Sequence, residues 1–320
     1  MVSRKPQQSR QSRIFGPVRS RRLGLSLGID LVPFKTCTFD CVYCQLGKTT
    51  CKTLARKQYV PASDVLVELE NTLSKVPEAD FITLTGSGEP TLHAGIGHII
   101  AGIRSITSLP IAVLTNGSLF FHDEVRIACN LADVVLPSLD AWNEDSFSRI
   151  NRPAPGLTFQ MLLDGMEVFR RDFDGQIWLE VFLLRSLSDD ESVVKRIARA
   201  AESLRPDRIH LNTAVRPTAE EYAQPVSVTE LERFSYFFKP IAEPVFTKLP
   251  EYGGSRVRPG QLLEALKRRP CTLQEMGRML NLPPVEITKY VDGMVSEGRL
   301  KIVRHGKDLY YYERSDVNED

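Results

Sequence analysis

The stretch Cys37-Thr-Phe-Asp-Cys41-Val-Tyr-Cys44 carries most of what this sequence says about fold and chemistry. Its cysteines are separated by three residues and then by two, so three thiolates lie within eight residues. A structural zinc ion or a complete iron–sulfur cluster usually takes four protein ligands. Three ligands leave one metal position open, and an open position binds a further ligand or a substrate. The spacing therefore indicates a reactive metal centre with Cys37, Cys41 and Cys44 as its ligands.

The other three cysteines have no ligand spacing among themselves. Cys51 is close enough in sequence to complete a four-ligand zinc site, which stays open as the alternative to a reactive centre. Cys129 lies in an apolar helical pattern and Cys271 near the C-terminus, and both are expected to be buried free thiols. The N-terminus has no apolar secretory signal, so metal binding or free thiols are expected rather than disulfides.

A second motif, Thr85-Gly-Ser-Gly-Glu-Pro90, directly follows a predicted strand over residues 81–85. Glycines let the backbone approach a ligand closely, and a carboxylate beside them is a natural acceptor for an ammonium group. Taken alone this is a weak signal, because Gly-Glu-Pro also forms ordinary turns. Its place one strand–helix unit after the cysteines makes the pair of motifs specific.

In that order and spacing, the two motifs resemble those of the radical S-adenosylmethionine (SAM) superfamily. The resemblance implies that the three cysteines bind three irons of a [4Fe-4S] cluster and that the amino acid end of SAM binds the fourth. It also implies that the loop of Gly86, Ser87, Gly88 and Glu89 binds the SAM amino group, and that Tyr43 packs against the adenine. SAM and the cluster are thus the expected cofactors, with a flavodoxin or ferredoxin as the expected electron donor.

Polar residues near the ends of later strands resemble further SAM contacts of that superfamily. Asn116 is expected to bond to the ribose or the carboxylate of SAM, and Ser138 and Asp140 to the ribose. Glu180 and Arg185 lie on or just after the fifth predicted strand, where Arg185 is expected to pair with the SAM carboxylate. A structural hydrogen bond or a solvated turn is the alternative for each of them.

The fold predicted from apolar periodicity is α/β. Strands are predicted over Leu25–Val32, Phe81–Thr85, Ile111–Thr115, Asp133–Pro137, Ile177–Leu184 and Arg208–Thr213. Helices are predicted over Ala62–Lys75, Gly95–Ser105, Asp123–Leu131, Phe159–Phe169 and Asp190–Leu204, with Ser63 and Asp189 as N-caps. Six alternating strands indicate a partial (β/α)6 TIM-like barrel of the radical SAM type, with its site at the carboxyl ends of the strands.

From about Pro259 the pattern changes to three helices and a two-stranded ribbon, which is typical of a winged-helix domain. The helices are expected over 261–269, from the capping box Thr272-Leu-Gln-Glu275, and from Pro284 onward. The ribbon is expected on either side of 305–307. The predicted organisation is therefore a basic, disordered arm over 1–14, a core over 15–215, a partly helical linker over 216–258, the winged helix over 259–314 and an acidic tail over 315–320.

Charge and hydropathy limit the class of partner. The chain has 320 residues and a net charge of only +1, yet residues 1–22 contain seven basic residues and no acidic one. Such an arm contacts phosphates or remains a solvated tail. No apolar run approaches the roughly 20 residues that span a bilayer, so a cytoplasmic protein without a membrane partner is expected.

The substrate is the least determined property. Arg149, Asn151 and Arg152 precede Pro153 in a predicted loop and are the candidates for substrate contact. The sequences around the cysteines resemble Fe–S oxidoreductases classed beside the tRNA wyosine-synthesis enzyme, which binds a second cluster through cysteines upstream of its triplet. No cysteine precedes Cys37 here. The alternatives are a radical SAM enzyme acting on tRNA, which is favoured, one that modifies a peptide or protein, and a non-catalytic Fe–S regulator whose winged helix reads DNA.

Overall fold

The computed structural model of the chain describes residues 12–20, 22–75, 79–245, 263, 266, 269–280 and 284–313. Its main body is built on a sheet with the strand order β1-β2-β5-β6-β7-β8-β9-β10. These strands are β1 (Ile14–Ser20), β2 (Gly24–Ile29), β5 (Phe81–Leu84), β6 (Ile111–Leu114), β7 (Val134–Leu136), β8 (Gln176–Leu183), β9 (Arg208–Thr213) and β10 (Glu243–Pro244). A short parallel pair, β3 (Thr36–Cys37) and β4 (Cys51–Lys52), lies outside this sheet.

The helices of the main body follow the strands in alternation. They are α1 (Ala62–Leu73), α2 (Ile96–Ile106), α3 (Asp123–Cys129), α4 (Glu144–Ile150), α5 (Phe159–Asp172), α6 (Glu191–Ser203) and α7 (Val228–Ser235). From β2 onward every strand pairs parallel with its neighbour, whereas β1 pairs antiparallel with β2. The α/β partial barrel expected from the sequence is confirmed, and the six predicted strands and five predicted helices match to within three residues at either end.

The core lies between the sheet and the helices that pack against it. In α2, Ile96, Ile99, Ile100 and Ile103 are all fully buried. Their spacing of three, four and seven residues places them on one face of the helix. Each such side chain contributes roughly 1.5–3 kcal/mol when it leaves water. Rows of this kind keep the strand ends, and the loops that follow them, in fixed positions.

Of the strands and helices given above, β1, β3, β4, β10 and α4 were not predicted, and β1 and α4 are the longest of these. Strand β1 contains Gly16-Pro17, and its register with β2 shifts between Phe15 and Val18. Proline within a strand is confined to sheet edges and bulges, so Pro17 argues against a strand when the sequence is read alone. Strand β1 lies at the edge of the sheet, where proline is tolerated. Helix α4 begins at a capping box in which Asn143 and Ser146 exchange side-chain bonds, although position N3 holds serine rather than the usual glutamate or glutamine.

The predicted N-caps were wrong. Helix α1 follows Pro61 with no side-chain cap, and Ser63 lies inside the helix. Helix α6 is capped by Asp190, whose carboxylate accepts from Ser192 and Val193, whereas Asp189 accepts from the Ser186 amide. Ser12 lies in the segment that was expected to be a disordered arm, yet its hydroxyl donates to Glu68 of α1.

The C-terminal part contains α8 (Leu273–Leu280), α9 (Pro284–Ser296) and an antiparallel ribbon of β11 (Leu300–His305) and β12 (Asp308–Glu313). We call residues 269–280 and 284–313 the C-terminal module. It has a small core of its own, which includes Cys271, Met276 and Val291. The helix predicted over 261–269 falls largely outside the described residues, so the winged helix stays a prediction. In the described part of the chain, no helix is long and apolar enough to cross a membrane.

Candidate functional site

Each of the three motif cysteines has a nitrogen donor next to its sulfur. Asn116 Nδ2 lies 3.6 Å from Cys37 Sγ, and Asn151 Nδ2 lies 3.6 Å from Cys41 Sγ. Lys35 Nζ lies 3.0 Å from Cys44 Sγ. Cys37 ends β3, and β3 is held in place by its pairing with β4. The donors therefore come from three different segments and converge on one loop, an arrangement that suits three thiolates and not three unrelated thiols.

Burial opposes ionisation of Cys37 and Cys41 in the absence of a metal. It raises the pKa of the Cys37 thiol to about 12, with a further contribution from Glu89, and it raises the pKa of Cys41 well above its ordinary value. A metal ion that coordinates a thiol removes its proton outright, which resolves this conflict. Buried sulfurs with N–H donors aimed at them are therefore well suited to metal coordination.

The arrangement does not favour the zinc alternative. Cys51 is exposed, and its amide donates to the Lys35 carbonyl. Among the described residues, no group of three or more His, Cys, Asp or Glu side chains is arranged to hold a metal ion. In a multi-iron cluster the three sulfurs need not approach a single ion, because each cysteine binds a different iron. The three cysteines fit the cluster better than they fit one shared ion.

The glycine loop lies against the cysteine loop at very short range. Gly86 has a φ of 143°, and a Cβ at this position would lie 2.3 Å from the Asp30 carboxyl carbon. A Cβ on Gly88 would lie 1.9 Å from the Thr36 carbonyl oxygen. Between them, the Ser87 hydroxyl donates to Asp30 Oδ2 at 2.6 Å. Glycine is thus required at position 88 for the two loops to meet, and at position 86 for the close contact with Asp30 after β2.

Glu89 has a different position from the one expected. Its side chain is buried, at 2% exposure, and does not line the cavity described below. Oε1 accepts from the Thr91 amide and hydroxyl and from the Thr115 hydroxyl, and Oε2 accepts from the Asn116 amide at 2.8 Å. Burial raises the pKa of this carboxyl, although those four donors oppose the shift. Glu89 ties the glycine loop to the end of β6.

A cavity of about 330 Å³ opens beside both loops. Its wall combines the two loops with the carboxyl ends of β7, β8 and β9 and the residues that follow them. The lining residues are Arg22, Lys35, Cys37, Tyr43, Cys44, Gln45, Leu46, Gly86, Ser87, Gly88, Ser138, Asp140, Glu180, Phe182, Asn212, Thr213, Ala214, Val215 and Arg216. The structure thus brings together Tyr43, three residues of the glycine loop, Ser138, Asp140 and Glu180, as the sequence predicted.

One wall of the cavity is formed by two stacked aromatic side chains, one of which is hydrogen-bonded to Asp140. Tyr43 stacks on Phe182 with ring centroids 4.0 Å apart, and the Tyr43 hydroxyl donates to Asp140 Oδ2. The Phe182 amide donates to Asp140 Oδ1 at 2.9 Å, and Asn151 Nδ2 donates to Oδ2 at 3.0 Å. Burial raises the pKa of Asp140 to about 6 despite these donors. Stacked rings beside polar groups make a surface that suits a nucleoside.

Besides Glu89, five other predicted contact residues do not line the cavity. Arg185 instead donates to the carbonyl of Pro225, just before α7, at 3.2 Å and pairs with Glu230 of α7 at 2.8 Å. These contacts contradict its expected pairing with the SAM carboxylate. Asn116 is directed at Thr38 and the Cys37 sulfur. Arg149 is exposed on α4 rather than in a loop.

The other two substrate candidates have structural partners. Asn151 is buried between Cys41 and Asp140, so it supports the cysteine loop and is not part of a substrate surface. Arg152 donates to Glu220 at 2.7 Å and to the Tyr222 hydroxyl at 2.8 Å. It therefore attaches the loop after α4 to the segment that follows β9.

The sequence analysis missed several residues of the cavity wall. Among the described residues, the cations that line it are Arg22, Lys35 and Arg216. Arg22, in the turn between β1 and β2, donates to Glu180, whose other oxygen accepts from Asn212. The rule that sites form at strand ends would have pointed to Asn212 on β9. No local signal marks Arg22 or Arg216, because both reach the site from connecting segments.

Comparisons with known proteins agree with this geometry. A family model described as Radical SAM superfamily matches residues 31–198. A UPF0026 protein of Methanocaldococcus jannaschii is 32% identical over 305 residues, which cover 92% of this chain and 94% of that protein. A protein of Brachyspira hyodysenteriae named GTPase Obg is 34% identical over 294 residues, which cover 90% of this chain but only 43% of that protein. The chain thus spans less than half of the Brachyspira relative.

The fold also has a counterpart among solved structures. The crystal structure of a radical SAM methyltransferase from Sphaerobacter thermophilus aligns with a TM-score of 0.51 at 17% identity. The alignment covers 68% of this chain and 64% of that one. At this identity the likeness concerns the fold alone.

Proposed function

The chain belongs to the radical SAM superfamily and to the group of UPF0026 proteins. We propose that it modifies a macromolecule, with tRNA as the favoured substrate. It is an enzyme of the radical SAM class and uses a [4Fe-4S] cluster and SAM. The observation that carries the assignment of the site is the cysteine loop, whose Cys37 and Cys44 border a cavity floored by glycines.

In this proposal, Cys37, Cys41 and Cys44 would be the protein ligands of the [4Fe-4S] cluster, and the cavity beside them would hold SAM. When bound, the two cofactors together supply reductive cleavage of the SAM sulfonium to methionine and a 5′-deoxyadenosyl radical that removes a hydrogen atom from the substrate. Asn116, Asn151 and Lys35 hold the three sulfurs in place through the contacts given above.

The remaining wall residues bind and orient SAM. The residues from Gly86 to Gly88 line the cavity, so their backbone carbonyls would accept from the SAM ammonium. Tyr43 and Phe182 offer stacked rings for the nucleoside, and Asp140 fixes the Tyr43 ring. Such fixed positions matter because a primary radical attacks any nearby C–H bond.

Two features support tRNA as the substrate. The exposed side of the ribbon carries Arg304 and Lys307. The same ribbon touches residues 214 and 215, which line the cavity, so a polyanion on the ribbon would lie near the site. The kinship with the wyosine-synthesis enzyme is part of this proposal.

A peptide substrate is the second candidate, since the ribbon also exposes Ile302 and Leu309, which suit an apolar side chain. A flavodoxin or ferredoxin is the proposed electron donor in either case.

The test is production of 5′-deoxyadenosine by the anaerobically reconstituted, reduced protein with SAM. The wild-type protein and the matched control Cys271→Ala, which changes a buried cysteine of the C-terminal module, should both form it. Cys41→Ala should form none. Bulk tRNA should increase the rate more than a mixture of peptides does. Stimulation by peptides alone would favour the second candidate, and a wild-type protein that never cleaves SAM would refute the proposal.

A further inference from the structure

Three consecutive residues after β9 line the cavity, and each of them is bonded to the C-terminal module. His305 Nε2 lies 3.0 Å from the Ala214 carbonyl oxygen. The Tyr310 hydroxyl donates to the Val215 carbonyl at 2.7 Å. The Arg216 guanidinium donates to Glu275 Oε1 at 2.6 Å. The module is therefore attached to a strip of the cavity wall and not to a remote face of the main body.

The contact between Arg216 and Glu275 is the strongest of the three. It is an ion pair whose side chains are each only 8% exposed. Glu275 also completes the capping box at the start of α8, because its Oε2 accepts from the Thr272 amide at 2.9 Å while the Thr272 hydroxyl accepts from the Glu275 amide at 3.1 Å. Burial raises the pKa of Glu275, but the charges of Arg216 and Arg269 and the hydrogen bond from the Thr272 amide together outweigh it and leave the pKa below its ordinary value. One carboxylate thus fixes both the start of a helix and a cation of the cavity.

Arg216 connects this contact to the cysteine loop. Its second terminal nitrogen lies 3.4 Å from Gln45 Oε1, and Gln45 directly follows Cys44. Its buried Nε has no partner among the described residues, so the two terminal nitrogens define its orientation. Removal of the carboxylate would leave a buried positive charge without compensation, and the side chain would have to turn toward the cavity or toward solvent.

We propose that Glu275 is a positioning residue for the SAM cavity, acting through Arg216, so that the C-terminal module completes the cavity wall from outside the barrel. The proposal rests on the proposed function, because it takes the cavity to be the SAM site. It assigns to the module a role within the catalytic unit, in addition to any contact with a macromolecular substrate.

The experiment compares SAM binding by cluster-loaded variants in equilibrium dialysis. Glu275→Gln keeps the size of the side chain and removes its charge, and its Kd for SAM should rise roughly tenfold. Glu297→Gln is the matched control, because it removes an exposed ion pair with Arg299 in the same module. Its Kd should equal that of the wild type. In the cleavage assay, Glu275→Gln should raise the KM for SAM more than it lowers kcat.

A double variant separates positioning from a general structural effect. If Glu275 acts through Arg216, then Glu275→Gln combined with Arg216→Gln should bind SAM as weakly as Arg216→Gln alone. Multiplied effects would overturn the proposal, as would a Glu275→Gln protein that binds SAM like the wild type. If Glu275→Gln fails to fold, Arg216→Lys keeps the charge without the planar fork, and an unchanged Kd would overturn the proposal.

A failure of the proposed function would look different. The wild-type protein would then not bind SAM at all, before any variant is compared.

Discussion

The closest approach of the two loops gives the sharpest prediction, for Gly88→Ala. The added Cβ would lie 1.9 Å from the Thr36 carbonyl oxygen, and real Cβ atoms stay at least 3.0 Å from such atoms. One backbone must therefore move by about 1 Å, and the other atoms near this Cβ belong to Thr36 and Val32, so no flexible side-chain tip can give way. The Thr36 carbonyl also accepts from the Glu89 amide at 3.1 Å.

Overpacking of this kind costs roughly 1–3 kcal/mol, and loss of the hydrogen bond adds about 1 kcal/mol. Because Thr36 directly precedes Cys37, we expect the displacement to reach the metal loop, lowering iron content after reconstitution and weakening SAM binding. Gly293→Ala is the control, since its Cβ meets nothing within 4 Å and it lies inside a helix, where alanine stabilises by up to about 1 kcal/mol.

Iron and sulfide analysis, urea unfolding and equilibrium dialysis with SAM would measure these effects. The reasoning would be refuted by a Gly88→Ala protein that unfolds at the wild-type urea concentration and binds the cluster and SAM normally.

Three further predictions concern charged groups. Lys35→Met removes the donor to Cys44 and should shift the cluster midpoint potential downward in an EPR redox titration, whereas Lys48→Met, on an exposed side chain of the same loop, should not. Burial, with help from Arg22, lowers the pKa of His210 to about 4. Between pH 6.5 and 4, only the unfolded state therefore takes up a proton at this residue, and the free energy of unfolding decreases as the pH is lowered. When the pH is lowered from 7 to 5, the free energy of unfolding of His210→Gln, measured with urea, should decrease by about 2 kcal/mol less than that of the wild type. Equal decreases would show that the lowered pKa of His210 is not the cause. Arg185→Ala should leave the Kd for SAM unchanged, because the guanidinium pairs with Glu230 and not with the cavity.

What the sequence predicted, and what it could not, follows from the range of each signal. The cysteine triplet and the glycine loop are local patterns, and the strands that present them have the apolar periodicity of buried elements. Ser138, Asp140 and Glu180 were found because strand ends of a parallel sheet meet at one rim. Glu89 shows the limit of this reasoning, since its four donors lie within two residues of it or at the end of the next strand, and only the folded backbone brings them together.

Residues from connecting segments were beyond the reach of sequence patterns. Arg22 enters the cavity from the turn after β1, a strand hidden by Pro17. Arg216 is held by Glu275, a residue 59 positions away in a part of the chain with its own core. Neither contact leaves a periodic trace, because each depends on how distant segments pack. Arg185 was chosen for its charge near a strand end, but its side chain is directed at α7.

The central claim is that Cys37, Cys41 and Cys44 would hold a four-iron cluster beside the cavity that would bind SAM. The most direct test is the EPR spectrum of the reduced, anaerobically reconstituted protein, recorded with and without SAM, beside iron analysis of Cys41→Ala and Cys271→Ala. The account predicts a [4Fe-4S]+ signal that changes when SAM is added, in the wild type and in Cys271→Ala, and no stable four-iron cluster in Cys41→Ala. A full cluster in Cys41→Ala, or a wild-type signal that SAM leaves unchanged, would contradict it.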